Sequence, residues 1–471
     1  MSWQEQPPLA ATPDRGGARQ PEPRRASFWR DLRVVWAEHD FRRLLSTRLI
    51  SQTGDGFFTA GIGTYVFFSQ AVFPSPASGA AAFAVLYAPY SLIGPFAGVF
   101  IDRWSRRQIL VYSALLRSGF VALTAALMAV GNRSIPLYIA VLLVLGVNRF
   151  FLSALSAALP HVVAGDKLVM GNSVSPTAGG IMAFLGGLVG LGVNVATGDT
   201  ERGAAITVLV AGACYVAAST VARIMPKDLL GPQRGPGGAP LGRLLAELGY
   251  VAAGLVDGAK YIARRRGPAT ALGATGGNRL FYGILFLMSI LLYRKYFYGS
   301  VSSTVAEGHY GVLVALVAIG YFSAALVTPT VTRRLAKPVF ITVLLAVNAV
   351  VVGGLGSTFS QVGYLIMGFF IGLAGQGIAI CATTILQEQL ADDYRGRAFS
   401  FYDMTFNITF VVGALVSAQF MPANGKSPAL LAVITAGYAL VAVLYWLTGR
   451  HSAGRGVGGS IPSDVPQRSS S

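Results

Sequence analysis

The chain reads as about twelve apolar stretches strung on short links, and that repetition constrains its fold more than any single motif. The stretches run over roughly 44–70, 78–101, 108–130, 136–159, 173–197 and 203–225, then 268–293, 309–330, 338–356, 360–386, 397–421 and 428–448. Each is close to the ~20 residues that a helix needs to cross a hydrocarbon core. Hydrophobic residues make up 53% of the 471 and charged residues 12%, where a soluble domain carries about 25% charge. Such a chain cannot cover a water-facing surface of its own size. The expected fold is an all-α membrane protein with 12 transmembrane helices in two six-helix pseudo-symmetric halves.

The net charge of +17 is explained by where the cations fall. One set of links holds Arg103, Arg106, Arg107, Lys167, Lys227, Arg234, Arg243, Lys260, Arg264, Arg265, Arg266, Arg333, Arg334, Lys337, Arg395 and Arg397. The opposite set holds Arg133, Arg202, Arg294, Lys295 and Lys426. Cationic residues in short loops stay in the cytoplasm, so both termini are expected there, with the chain multi-pass in a plasma (inner) membrane. No basic patch with interleaved aromatics lies outside the stretches, so nucleic acid is not an expected partner. Cys214 and Cys381 both sit inside apolar runs and imply no disulfide framework. Residues 1–43 read as a disordered basic tail leading to a short interfacial helix, and 449–471 as a second disordered tail. Between the halves (44–225 and 268–448), residues 226–267 read as a cytoplasmic linker. It opens on a Pro/Gly segment and closes on an amphipathic helix, Leu241 to Arg266, suited to the inner interface.

The link between the second and third stretches carries Gly98, Asp102, Arg103, Arg106 and Arg107. It resembles the signature loop of the major facilitator superfamily, Gly-x-x-x-Asp-Arg-x-Gly-Arg-Arg/Lys, with Ser105 in place of the second glycine. The link after stretch eight, with Arg333, Arg334 and Lys337, stands where this loop stands in the first half. It keeps the cations and lacks the acid. Two further segments resemble the drug-efflux branch typified by macrolide efflux proteins. They are Phe41-Arg42-Arg43 with Gly54-Asp55-Gly56, and Gln387-Glu388 with the run from Arg395 to Asp403. The branch's glycine-proline motif in stretch five is partial, since Pro176 precedes the glycine run. The resemblance implies the major facilitator fold and alternating access between parallel halves. It also implies that the signature loop latches the inner side, with Asp102 meeting the start of stretch eleven near Arg397, where a helix dipole favours an anion.

Ionisable residues inside lipid cost several kcal/mol unless paired or wetted, so the few present are the candidates for chemistry. Asp55 lies eleven residues into stretch one, ~16 Å deep at 1.5 Å per residue. A carboxyl there could bind and release a proton as access alternates. It could equally form a structural ion pair or mark a Gly-Asp-Gly kink. Arg48, two turns earlier on the same face, Arg149 and Arg279 are the expected partners in proton coupling, with Arg279 placed to face Asp55 across a cavity. Glu388, Arg397 and Asp403 are expected at the inner gate. Phe58, Arg117, Tyr282, Phe286, Tyr402 and Phe406 would line a cavity suited to a bulky amphipathic substrate.

Signals for an enzyme fail. Gly425-Lys426-Ser427 echoes a phosphate loop but has Phe420 where the first glycine is needed. His39, His161, His309 and His451 are scattered, with no metal-ligand spacing. No cofactor is expected, so transport must run on an ion or solute gradient. The reading is a monomeric secondary transporter, in a lipid bilayer, exporting hydrophobic or amphipathic small molecules in exchange for protons. Alternatives are a metabolite, siderophore or lipid transporter of the same fold, or a non-transporting membrane sensor or assembly partner.

Overall fold

A computed structural model describes residues 38–68, 105–132, 134–163, 168–197, 200–227, 229–230 and 241–453. They form twelve α-helices: α1 (His39–Gly63), α2 (Arg106–Ala129), α3 (Ile135–Ala158), α4 (Leu168–Thr197), α5 (Thr200–Ile224), α6 (Leu241–Ala263), α7 (Arg266–Leu291), α8 (Ser303–Thr332), α9 (Lys337–Gly354), α10 (Gln361–Gln389), α11 (Asp392–Ala418) and α12 (Pro428–Ala453). Ten are long and apolar enough to cross a membrane. The other two are α1 and α6. Helix α1 carries Arg42, Arg43, Arg48 and Asp55, yet it packs centrally between α4 and α5, and Arg48 is buried against Ser175 of α4. Helix α6 belongs to the linker. Eleven of the expected spans are therefore seen as helices. The second, 78–101, lies outside the described residues, as do the signature residues Gly98, Asp102 and Arg103.

The two halves repeat one packing scheme. In the first, α1 packs on α4 and α5, and α2 packs on α3 and α5. In the second, α7 packs on α11 and α12, and α9 packs on α10 and α12. The repeat extends to details of the backbone. Both α1 and α7 run on into a π-helical turn, Thr64–Phe68 and Leu292–Phe297. Outside the repeat, α3 and α9, which are not counterparts, each begin with proline in the first turn, where its missing N–H is no loss.

Glycine sets how closely the pairs approach. A methyl group built on Gly56 of α1 would stand 1.9 Å from the Ala183 carbonyl oxygen, and one on Gly186 of α4 would stand 2.3 Å from that of Thr53. In the second half the same reciprocal contact joins Gly283 to Phe410 (2.1 Å) and Gly413 to Leu280 (2.0 Å). The two crossings match residue for residue, Thr53 with Leu280 and Gly56 with Gly283. Small residues that let backbones meet are how helices associate in lipid, where burying apolar surface gives no net gain.

The halves meet on α4 and α8, at the end of the bundle opposite α6, hereafter the far end. One continuous apolar core fills the second half and crosses at the far end to Ile62, Tyr65 and Val66. A separate core around Phe41, Leu110, Phe151 and Leu159 fills the linker end of the first half and does not join it. Helix α6, expected at the membrane interface, docks on the start of α11 instead. Tyr261 stacks on Tyr394 at 4.0 Å and 8°, Arg265 covers Tyr261 at 4.3 Å and Arg397 covers Tyr394 at 5.6 Å. Stacking and cation–π attraction hold this layered order.

Gly283→Ala is expected to cost ~1–3 kcal/mol by overpacking against a backbone that cannot move aside. Gly180→Ala, at a site with nothing within 4 Å of the added carbon, should be neutral. Thermal denaturation of the two variants in one detergent checks this, and equal midpoints would refute it.

Candidate functional site

In the first half four helices converge on Asp55. The carboxylate is ion-paired to Arg117 of α2, whose side chain is only 1% exposed against 17% for Asp55. Tyr215 of α5 donates its hydroxyl to the same carboxylate oxygen at 2.9 Å, and Asn148 of α3 donates its amide to the other at 3.3 Å. Arg117 also donates to Ser51 Oγ at 3.0 Å and lies 3.7 Å over the Tyr215 ring. Every described partner is in the first half. Taking both charges out of water is costly, and the surrounding donors and ring offset this. Arg117, expected to line a cavity, is instead buried: α2 packs on α5 and turns this face toward α1. Phe58, expected beside it, is 2% exposed and belongs to the packed core.

Arg48 does not pair directly with Asp55. Its Nε donates to Gln52 Oε1 at 2.8 Å and its Nη1 to Ser175 Oγ of α4 at 3.3 Å. It acts on Asp55 through space, as does Arg149 of α3 on Asp403 of α11, across the two halves.

The second half carries a different arrangement. Arg279 does not reach Asp55. Its guanidinium lies 3.5 Å over the Phe406 ring, 5.2 Å from that of Tyr282 and 5.3 Å from that of Phe410. Tyr282, Phe286 and Phe410 pack mutually with centroids 5.6 to 6.0 Å apart, and Tyr402 packs on Phe406 at 6.0 Å. The expected rings of the second half, Tyr282, Phe286, Tyr402 and Phe406, thus form one cluster, organised around a cation. Phe410 was not expected in it, because residues so deep in an apolar run look like any packing residue. Beneath the cluster Asn348 of α9 donates to Asn278 of α7 at 3.2 Å.

At the linker end, Arg106 donates to the Leu230 carbonyl at 3.1 Å and Arg107 to that of Arg223 at 2.6 Å. Both fasten the end of α5. Glu388 pairs with Lys337 at 2.5 Å; both belong to the second half, so this contact joins α10 to α9 and does not bridge the halves.

A third cluster, at the far end, does bridge them. Glu307 of α8 is 0% exposed. Its Oε1 accepts from the Thr64 hydroxyl, after α1, and from Asn194 Nδ2 of α4 at 3.1 Å. Thr207 of α5 donates to Asn194 Oδ1 at 2.8 Å, which aims the amide at the acid. The sequence hid Glu307, because the apolar run begins at 309 whereas the helix begins at Ser303. The signal was there: an acid in the second turn of a spanning helix with no cation near it in sequence.

Two proteins match this sequence along almost their whole length. They are uncharacterized MFS-type transporters of Mycobacterium bovis and Mycobacterium tuberculosis. Each is 33% identical over 425 residues, covering 90% of this chain and 93% of the relative. The chain belongs to the major facilitator superfamily. Solved structures agree on the fold. A mutant of the nucleoside transporter NupG superposes with TM-score 0.66 at 15% identity, covering 87% of this chain and 99% of that one. A mutant peptide transporter POT gives 0.63 at 11%, covering 88% and 94%, and a D-xylose-proton symporter 0.60 at 12%, covering 89% and 98%. No family model matches the sequence. This superfamily member is accordingly a multi-pass membrane protein and a secondary transporter.

In such a protein the Asp55–Arg117 pair should behave as a unit. Arg117→Met leaves a buried carboxylate uncompensated and should cost ~3–5 kcal/mol. Adding Asp55→Asn to it should restore most of that loss. A double-mutant cycle on thermal stability measures the coupling, and strictly additive effects would show that the pair is not a unit.

Proposed function

We propose that this transporter exports hydrophobic or amphipathic small molecules in exchange for protons, working as a monomer in the plasma (inner) membrane. The observation that carries the reading is the state of Asp55: mid-depth, partly exposed at 17%, and tied to a fully buried arginine. A proton reaching that face of the carboxyl neutralises it and weakens its hold on Arg117. The arginine then keeps Ser51 and the Tyr215 and Phe151 rings but loses its counter-ion, and the tie between α1 and α2 loosens. Coupling in the fold has precedent in the neighbour described as a D-xylose-proton symporter.

The substrate would rest on the aromatic cluster around Arg279. Tyr282, Phe286 and Phe406 offer ring faces for apolar bulk, and the cation offers an anchor for an electron-rich or anionic group. The linker end faces the cytoplasm, because the cation-rich links gather there, and the two termini lie on that side. Export rests on the resemblance of the segments around Asp55 and Arg397 to the drug-efflux branch. The nucleoside, peptide and sugar transporters that share the fold favour a second reading, proton-linked uptake of a polar metabolite. Asp102, with Gly98 and Arg103, would complete the gate at the linker end together with Arg106, Arg107, Arg397, Asp403 and Glu388.

Purified protein in liposomes with a pH-sensitive dye inside distinguishes these readings. Lipophilic cations, macrolides, siderophores, nucleosides and sugars are added in turn. Lumenal pH should change with a substrate in the wild type and not with Asp55→Asn, while the sign of the change tells exchange from symport. A signal surviving in Asp55→Asn would remove Asp55 from coupling.

A further inference from the structure

Glu307 is the acid that the reading above leaves unused, and its surroundings are unlike those of Asp55. It is fully buried where the halves join. Its described partners are two neutral donors, the Thr64 hydroxyl and the Asn194 amide, both on Oε1. Its second oxygen, Oε2, is buried and has no hydrogen-bond partner. Charged and titratable groups do lie on the elements packed around it. Arg294 and Lys295 follow α7, Glu201 and Arg202 open α5, and His309 and Tyr310 lie on α8 itself. None of them is hydrogen-bonded or ion-paired to Glu307 among the described residues. His309 is turned to its own helix, on the Val305 carbonyl, and stacks on Tyr298.

A carboxylate with two neutral donors, an unpaired oxygen and no cation is the worst case for burying charge. The start of α8 supplies some favourable dipole, yet that effect is small and confined to the first turn, while Glu307 is in the second. A carboxylic acid fits the site at far lower cost, since it carries no net charge; its proton, on Oε2, lacks an acceptor, and an unmade hydrogen bond costs much less than a buried unpaired charge. The site can keep this form only while it is dry, and it is dry only while α8 rests on α4 and on the turn after α1.

We propose that Glu307 is a second proton-binding site, occupied while the far end is closed, and that its proton leaves when the halves part there. Closure at the far end then binds one proton and opening releases it, to whichever compartment that end faces. The device needs only that the halves separate at this end during transport. It does not depend on Asp55 carrying the coupled proton.

The test places spin labels on Val130→Cys in the first half and Val301→Cys in the second, both exposed at the far end. The background carries Cys214→Ala and Cys381→Ala, and the full chain is held in lipid nanodiscs. Pulsed dipolar distances are followed from mildly acidic to mildly alkaline buffer. The expected result is a short distance in acid with a longer population growing as pH rises. In Glu307→Gln, which keeps the shape and both hydrogen bonds, the short distance should persist at every pH. Asp55→Asn should leave the pH response of the distance in place. An unchanged pH response in Glu307→Gln overturns the proposal, and so does a wild type whose distances ignore pH. Infrared spectroscopy gives a readout that needs no label. The closed wild type should show a protonated-carboxyl stretch that is missing from Glu307→Gln, and its absence in the wild type would also overturn the proposal.

Discussion

The cost of placing charge in a medium that cannot solvate it governs this molecule. Backbone groups meet it by forming helices, and side chains meet it by pairing. Asp55 and Arg117 are tolerable only together and only with Tyr215, Asn148 and Ser51 around them. Four helices are thereby held in one register about a point near the middle of the bundle. The reciprocal glycine contacts make that convergence possible, since Gly56 and Gly186 bring α1 against α4 on the side opposite Arg117.

Superposing the two halves by their glycine crossings explains why the buried ion pair of the first has no counterpart in the second. Thr53 matches Leu280 and Gly56 matches Gly283, so Ser51 falls on Asn278, Gln52 on Arg279 and Asp55 on Tyr282. Arg117, which bonds Ser51, corresponds to Asn348, which bonds Asn278. Tyr215 corresponds to Tyr438, whose hydroxyl also turns to Asn278, at its carbonyl, at 3.4 Å. The second half thus keeps the Arg117–Ser51 contact as a pair of amides and has Tyr282 where the carboxylate of the ion pair stands. Neutral partners need no compensating charge, so Arg279 is free of that duty. It turns to Phe406, which stands where the first half has Gly179. A repeated scaffold has diverged into a half built around a buried ion pair and a half built around an aromatic cluster.

Much of this was legible in the sequence. Apolar run lengths give the spans, because bilayer thickness leaves little freedom in their length. The aromatic set of α7 and α11 was visible as ring residues at helical spacing, and Asp55 as an acid too deep to be accidental. Partnership was not legible. Nothing in the run around Arg117 tells which helix it faces, and periodicity is silent where a helix is covered on several sides. Arg279 was mismatched for the same reason, its true register being set by a glycine crossing that single-helix patterns do not reveal. Helix α6 was read correctly as amphipathic, but an apolar face does not say whether lipid or protein covers it. The rings of Tyr261 and Tyr394 decide that, and they are far apart in sequence.

The boundary of α8 shows how a small error in span limits conceals a site. Hydropathy starts a helix where apolar residues begin, whereas the backbone starts it where the first turn can form. Between Ser303 and 309 the two criteria part, and Glu307 lies in that gap. Its burial is affordable because Thr64 and Asn194 come from the other half, so the acid is hidden by assembly of the halves and not by its own helix. The same fact makes the contact reversible. An interface sealed by apolar packing alone separates at a cost that pH does not touch, whereas one sealed across a carboxyl group changes its free energy with the proton on that group. The far end, on this argument, is the place where alternation of the halves and proton activity are bound to one residue.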